Sequence, residues 1–153
     1  MREQMILATT VLLATSSLAN AQERAWSLDR NDKEAYLVFG TPETDDVGVS
    51  FWCKLQSNLV HFYAPETNAR LKIGNAIPFS LKISSKTFRF KGKTTANQEA
   101  GNISLEAELK ITDPVFAALR TADYFSVIAG NTKNNYPLGE SDVSGFLALC
   151  TVP

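Results

Sequence analysis

The chain is poor in the residues that carry most enzyme chemistry. In 153 residues it has one histidine and two cysteines, too few imidazole and thiolate groups for a tetrahedral zinc site and few routes to general-base catalysis. No C-x-x-C spacing occurs, so thiol redox chemistry has no local motif. Neither sign of charge dominates: fifteen Lys+Arg against sixteen Asp+Glu give a net charge of −1, which removes any bulk attraction to nucleic acid. Internal repeats, low-complexity tracts and linkers are also missing. What is there is a hydrophobic share of 44% beside a charged share of 20%, the composition of an ordinary folded domain. A chain of this size buries a core without metals or many crosslinks.

Long apolar runs are scarce, and the one of note lies at the N-terminus. Met5 to Ala14 follows Arg2, is too short to span a bilayer, and leads to Ala19-Asn20-Ala21, a small-x-small cleavage pattern. The sequence predicts a signal peptide over residues 1–21, cleaved between Ala21 and Gln22. A single β domain over residues 22–153 follows, periplasmic or secreted, with no stable membrane insertion. In an oxidising compartment an even pair of cysteines is a disulfide by default, so Cys53 and Cys150 are expected to join an early strand to the C-terminal end.

Period-two alternation fills the mature chain. Val47, Val49, Phe51, Cys53 and Leu55 alternate with polar or small neighbours, as do Ile77, Phe79, Leu81 and Ile83. Ile103, Leu105, Ala107, Leu109 and Ile111 do the same. Residues 36–39 and 124–128 are shorter apolar runs closed by Gly40 and Gly130. A tight turn at Ser84-Ser85 sets Leu81 opposite Phe88 and Phe79 opposite Phe90. A return through residues 97–102 then sets Phe90 opposite Leu109 and Phe88 opposite Ile111. All of these face one side, and a one-residue slip would invert them. A third hairpin turning at Gln56-Ser57 pairs Phe51 with Phe62, Cys53 with Val60 and Trp52 with His61. Asp113-Pro114 before VFAALR has the cap and first-turn proline of a helix, and Ser141 to Cys150 places Val143, Phe146, Leu147 and Cys150 at helical spacing. The expected fold is mainly β, a seven- or eight-stranded antiparallel barrel or sandwich with two short helices. Residues 130–137 are read as a long polar connection.

Three surfaces are candidates for function. The first is a basic ribbon of Arg70, Lys72, Lys82, Lys86, Arg89, Lys91 and Lys93, with no acid between Thr67 and Gln98. By parity Lys82, Arg89, Lys91 and Lys93 point outward together. Clustered like charges on a sheet repel, a local cost that a polyanionic partner offsets, although a solvated face explains a charge run equally. The ribbon has no interleaved exposed aromatics, which speaks against single-stranded nucleic acid. The second is the outward face of the Cys53 hairpin, with Trp52, Leu59, His61 and Tyr63. It is either an amphipathic binding surface or a second small core under another segment. His61 has no serine, cysteine or acid tied to it by spacing, so it is a poor catalytic base. The third is Thr41-Pro42-Glu43-Thr44-Asp45-Asp46, acidic enough for a cation or a basic partner but without EF-hand spacing. Glu106 and Glu108 point outward from one strand with alpha carbons roughly 7 Å apart, a pair better suited to solubility than to glycoside cleavage.

The segments AYLVFGTPETDDVGVSFWC and NYPLGESDVSGFLALC resemble small alphaproteobacterial periplasmic proteins of the peptidoglycan-hydrolase inhibitor type, the PhiA-like proteins. The likeness rests on the Phe51-x-Cys53 strand, the Tyr136-Pro137-Leu138-Gly139 loop and the cysteine three residues from the end. It covers the two ends of the domain. It implies a β-barrel that binds a lysozyme or other peptidoglycan hydrolase and blocks its cleft, with no cofactor. The Ser-Gly-x-x-Tyr and Thr-Lys-Gly motifs of better-known lysozyme inhibitors do not carry over, because Ser144-Gly145 leads into a predicted helix and Thr132-Lys133 is followed by Asn134. The expected role is therefore inhibition through protein contact, without catalysis. The alternative is a barrel that carries an apolar or anionic envelope ligand, which requires a cavity between the Phe79/Phe88/Phe90 side and the Phe51/Phe62 side.

Overall fold

Alternating side chains hydrogen-bonded into hairpins produce one antiparallel sheet. The computed structural model describes residues 23–65, 71–74, 76–97 and 102–153; the predicted signal peptide and Arg70 lie outside them. The strands are β1 (Ala25–Arg30), β2 (Glu34–Gly40), β3 (Val47–Lys54), β4 (Leu59–Ala64), β5 (Ala76–Ile83), β6 (Lys86–Asn97), β7 (Asn102–Lys110), β8 (Tyr124–Ala129) and β9 (Thr132–Pro137). Helix α1 (Pro114–Leu119) separates β7 from β8, and α2 (Val143–Cys150) ends the fold. The order across the sheet is β1-β2-β3-β4-β7-β6-β5-β8-β9. It curls into a half-barrel around an apolar interior.

Among the described residues the strand count is thus nine and not seven or eight. The two unforeseen strands are the two edges. β1 pairs with β2 alone and β9 with β8 alone, so each needs only one apolar face and half a ladder. The predicted polar connection after Gly130 is β9 itself, which a turn at Gly130, in the left-handed region at φ 56°, folds back onto β8. Its polar run TKNNYP contributes one buried ring, Tyr136. The edges meet where the Trp26 indole donates to the Pro137 carbonyl, and β9 also reaches β3, the Tyr136 hydroxyl donating to the Gly48 carbonyl at 3.0 Å.

The inward faces carry Phe51, Phe62, Phe79, Leu105 and Phe125, all buried. Both helices complete this core. Asp113 caps α1 by accepting from the Val115 amide at 3.0 Å, and α1 buries Val115, Phe116 and Leu119. In α2, Val143, Phe146, Leu147 and Cys150 are buried, as the spacing predicts. The expected disulfide joins Cys150 to Cys53 on β3. Beside it the β3–β4 turn donates from Gln56 to the Leu149 carbonyl and from Asn58 to the Cys150 carbonyl, satisfying two of the free groups at the helix end.

The predicted hairpin registers hold: Phe79 faces Phe90, Leu81 faces Phe88, Phe51 faces Phe62 and Trp52 faces His61. The β6–β7 pairing keeps its predicted register but not its predicted extent. It runs from Asn97–Asn102 to Lys93–Glu106 and stops, so Phe90 and Phe88 never pair with Leu109 and Ile111. Gly92 sits at the fork. A Cβ there would lie 2.9 Å from the Glu106 carbonyl oxygen and 2.5 Å from Leu105 Cδ1, so the last close approach of the two strands requires glycine. On its other edge β7 pairs with β4 from Ala64–Leu105 to Leu59–Lys110.

Candidate functional site

The registers align outward side chains into two rows across the sheet. Tyr36, Trp52, His61 and Glu108 stand side by side on β2, β3, β4 and β7. In the next row Ser50, Tyr63, Glu106, Lys93 and Ala76 follow one another from β3 to β5. Together with Lys91 and Gly92 they line a groove of about 730 Å³ on the outer face of the sheet. Its floor is the β4–β7 pair, and the fork between β6 and β7 opens into it.

One wall is a rigid aromatic stack. Trp52 lies on His61 with ring centroids 3.9 Å apart and planes 9° from parallel, and Tyr36 stacks on the other side of Trp52 at 6.4 Å. The Tyr36 hydroxyl donates to the Glu34 carboxylate, and that bond holds the phenol above its usual pKa. The Tyr63 hydroxyl accepts from Ser104 at 3.1 Å. Both faces of the Trp52 indole are therefore partnered, which fixes it without burying it.

Across the groove the charges divide unequally. Glu108 lies near His61, whose Nδ1 is 3.6 Å from the carboxylate. Glu106 accepts from Thr95 at 3.0 Å and not from Lys93, its cross-strand neighbour. The side chains of Lys91 and Lys93 have no ion pair or hydrogen bond among the described residues. The groove thus offers two ammonium groups without side-chain partners, beside aromatic rings and two carboxylates.

The structure brings together Trp52, His61, Tyr63, Lys91 and Lys93 from the predicted residues. Lys82 and Arg89 are exposed on the same outer face but lie outside the groove. Tyr36 and Ser50 were not among the predictions, and Glu106 and Glu108, read as a solubility pair, line it. An acid does stand beside His61. It comes from β7, 47 residues away in sequence number, through a pairing that no spacing rule reveals. Leu59 belongs to the neighbouring row, opposite Lys110.

The acidic turn serves the fold: Asp46 accepts from Arg24 Nε at 2.9 Å and from the Thr41 hydroxyl at 2.7 Å. These bonds, the arginine's first, hold its carboxyl at about 2. Among the described residues no three His, Cys, Asp or Glu side chains gather to hold a metal, and no helix is long and apolar enough to cross a membrane. Between the two phenylalanine groups Phe62 stacks on Phe79 at 5.5 Å and Phe79 meets Phe90 at 5.4 Å. Compared with known protein families, curated proteins and solved structures, the chain matches none.

Proposed function

We propose that this chain is a non-catalytic binding protein of the cell envelope that inhibits or regulates a peptidoglycan hydrolase, with the outer groove as its contact surface. The observation that carries this reading is the pairing of a fixed Trp52–His61 stack with two unpartnered lysines on one crosslinked sheet. Rigid aromatic anchors beside charged groups are the makings of an interface hot spot, because little side-chain entropy is lost on docking. Enzymes that cleave peptidoglycan glycan strands act through carboxylates flanking a cleft. Ammonium groups with no partner of their own complement such a rim and carry little desolvation of an existing pair. The PhiA-like resemblance supports the same role.

The test mixes the disulfide-bonded protein with lysozyme and with bacterial envelope muramidases. Inhibition is expected with at least one of them, with loss of potency in Trp52→Ala and in Lys91→Glu/Lys93→Glu. Absence of both inhibition and a complex at large molar excess would end the proposal. His61→Ala separates contact from catalysis: an inhibitor keeps part of its effect, whereas an enzyme would lose turnover.

A second reading, binding of an anionic envelope ligand, is favoured by one observation. Lys82, Lys86 and Arg89 extend the unpartnered cations beyond the groove along β5 and β6. Native mass spectrometry of protein taken from the envelope distinguishes the two, since a co-purifying anionic molecule favours the ligand.

A further inference from the structure

We infer that the fork between β6 and β7 is a strand-acceptor site that takes an extended peptide of alternating apolar and acidic residues. The inference deepens the proposed reading and rests on it for the protein nature of the partner. Over Lys86–Gly92, β6 pairs with β5 alone, because its ladder with β7 stops at Lys93–Glu106, while β4 pairs with the opposite edge of β7. Among the described residues, half of β6 therefore has a free strand edge inside a nine-stranded sheet. The backbone groups along such an edge, left to water, are a template for another strand.

The side chains beside this edge specify what fits. The inward Phe88 and Phe90, and Ile111 just past the end of β7, remain only partly buried, unlike Phe79 and Leu81 opposite them on β5. The outward Arg89 and Lys91 are exposed and unpartnered. A strand laid along β6 would place every second side chain over the phenylalanines and the alternate ones beside the cations. Apolar residues answer the first set and carboxylates the second.

A second copy of this chain is a poor occupant, because antiparallel β6 edges would set Arg89 and Lys91 against their own kind. A glycan or nucleic acid polyanion would neutralise the cations but leave the backbone donors and the half-covered rings unanswered. The peptide meets all three requirements.

The probe is a blocked peptide of alternating valine and glutamate, added to the isotopically labelled, disulfide-bonded protein. Two further peptides are N-methylated on the odd or on the even residues. Binding is expected to slow exchange of those amides in Lys86–Gly92 that point away from β5, and to shift their resonances. At least one methylated peptide should bind at least about tenfold more weakly, since the methyl group removes a ladder donor. Arg89→Gln/Lys91→Gln, both at exposed sites, should also weaken binding. Equal binding by all three peptides, shifts confined to Trp52 and His61, or no binding at millimolar peptide would overturn the inference. A hydrolase that is still inhibited in that event leaves the functional proposal standing without it.

Discussion

On β3 and β4 the inward Phe51 and Phe62 lie buried at 5.3 Å, while one residue along each strand the outward Trp52 and His61 stack at 3.9 Å, half-buried on the outer face. The same two strands, in the same register, present aromatic pairs to opposite surroundings. Inside, Phe51 meets Phe125 of β8 and Phe116 of α1, and Phe62 stacks on Phe79 of β5. Outside, the stack is held by Tyr36 on one side and Glu108 on the other and keeps surface to spare. The inner pair stabilises the sheet through burial; the outer pair draws little stability from its position and is free to contribute to binding.

The largest effect that sharpens this contrast is removal of the crosslink behind the inner face. Cys53 and Cys150 are 97 residues apart, and replacing both by serine should cost about 4–5 kcal/mol on the chain-entropy account. Chemical denaturation of this variant beside the disulfide-bonded protein checks this. Next, Phe62→Ala should cost about 3–5 kcal/mol, whereas Trp52→Ala should cost only about 1 kcal/mol and yet lose partner binding. Equal destabilisation by the two would break the distinction between the faces, since Trp52 would then be a core residue.

Much of this plan was legible in the sequence, and the limit is physical. Hairpin registers are local: a short turn fixes which residues oppose each other, so the alternation of Phe79, Leu81, Phe88 and Phe90 already implied their pairing. The cysteine pair needed only a count and a compartment. The β4–β7 and β5–β8 ladders join segments that no tight turn connects, and alternation reveals the face of a residue but never its non-local neighbour. That is why His61 and Glu108 could not be matched beforehand, and why a groove spanning β2 to β5 was seen only in part. β9 was hidden for another reason: an edge strand with one buried ring has almost no hydrophobic period.

Gly92 offers a smaller test, at the place where the outer groove and the inner core communicate. Gly92→Ala puts a methyl group against the Glu106 carbonyl and Leu105, an overpacking expected to cost about 1–3 kcal/mol. The fork should widen, so amide exchange should accelerate first at the Lys93–Glu106 end of the ladder. Uniform acceleration along Asn102–Glu106 would show that the fork is not the weak point of that pairing.

The smallest effect lies at the rim, where the turn between β2 and β3 is tied to the chain entering β1. The Asp46 carboxyl is held at about 2, below its ordinary value of 3.8, by the Arg24 guanidinium and the Thr41 hydroxyl. A carboxyl with a lowered folded-state pKa binds fewer protons folded than unfolded, so its stabilisation is complete above the ordinary value and is lost as the pH falls through about 2. The pair is partly solvent-exposed, so Arg24→Gln should cost no more than about 1 kcal/mol near neutral pH. Thermal unfolding of both proteins from pH 6 to pH 2 should show the gap close toward the acid end. A gap that persists would mean that Arg24 acts by packing beside Gly48, which its guanidinium also covers, and that its charge is incidental.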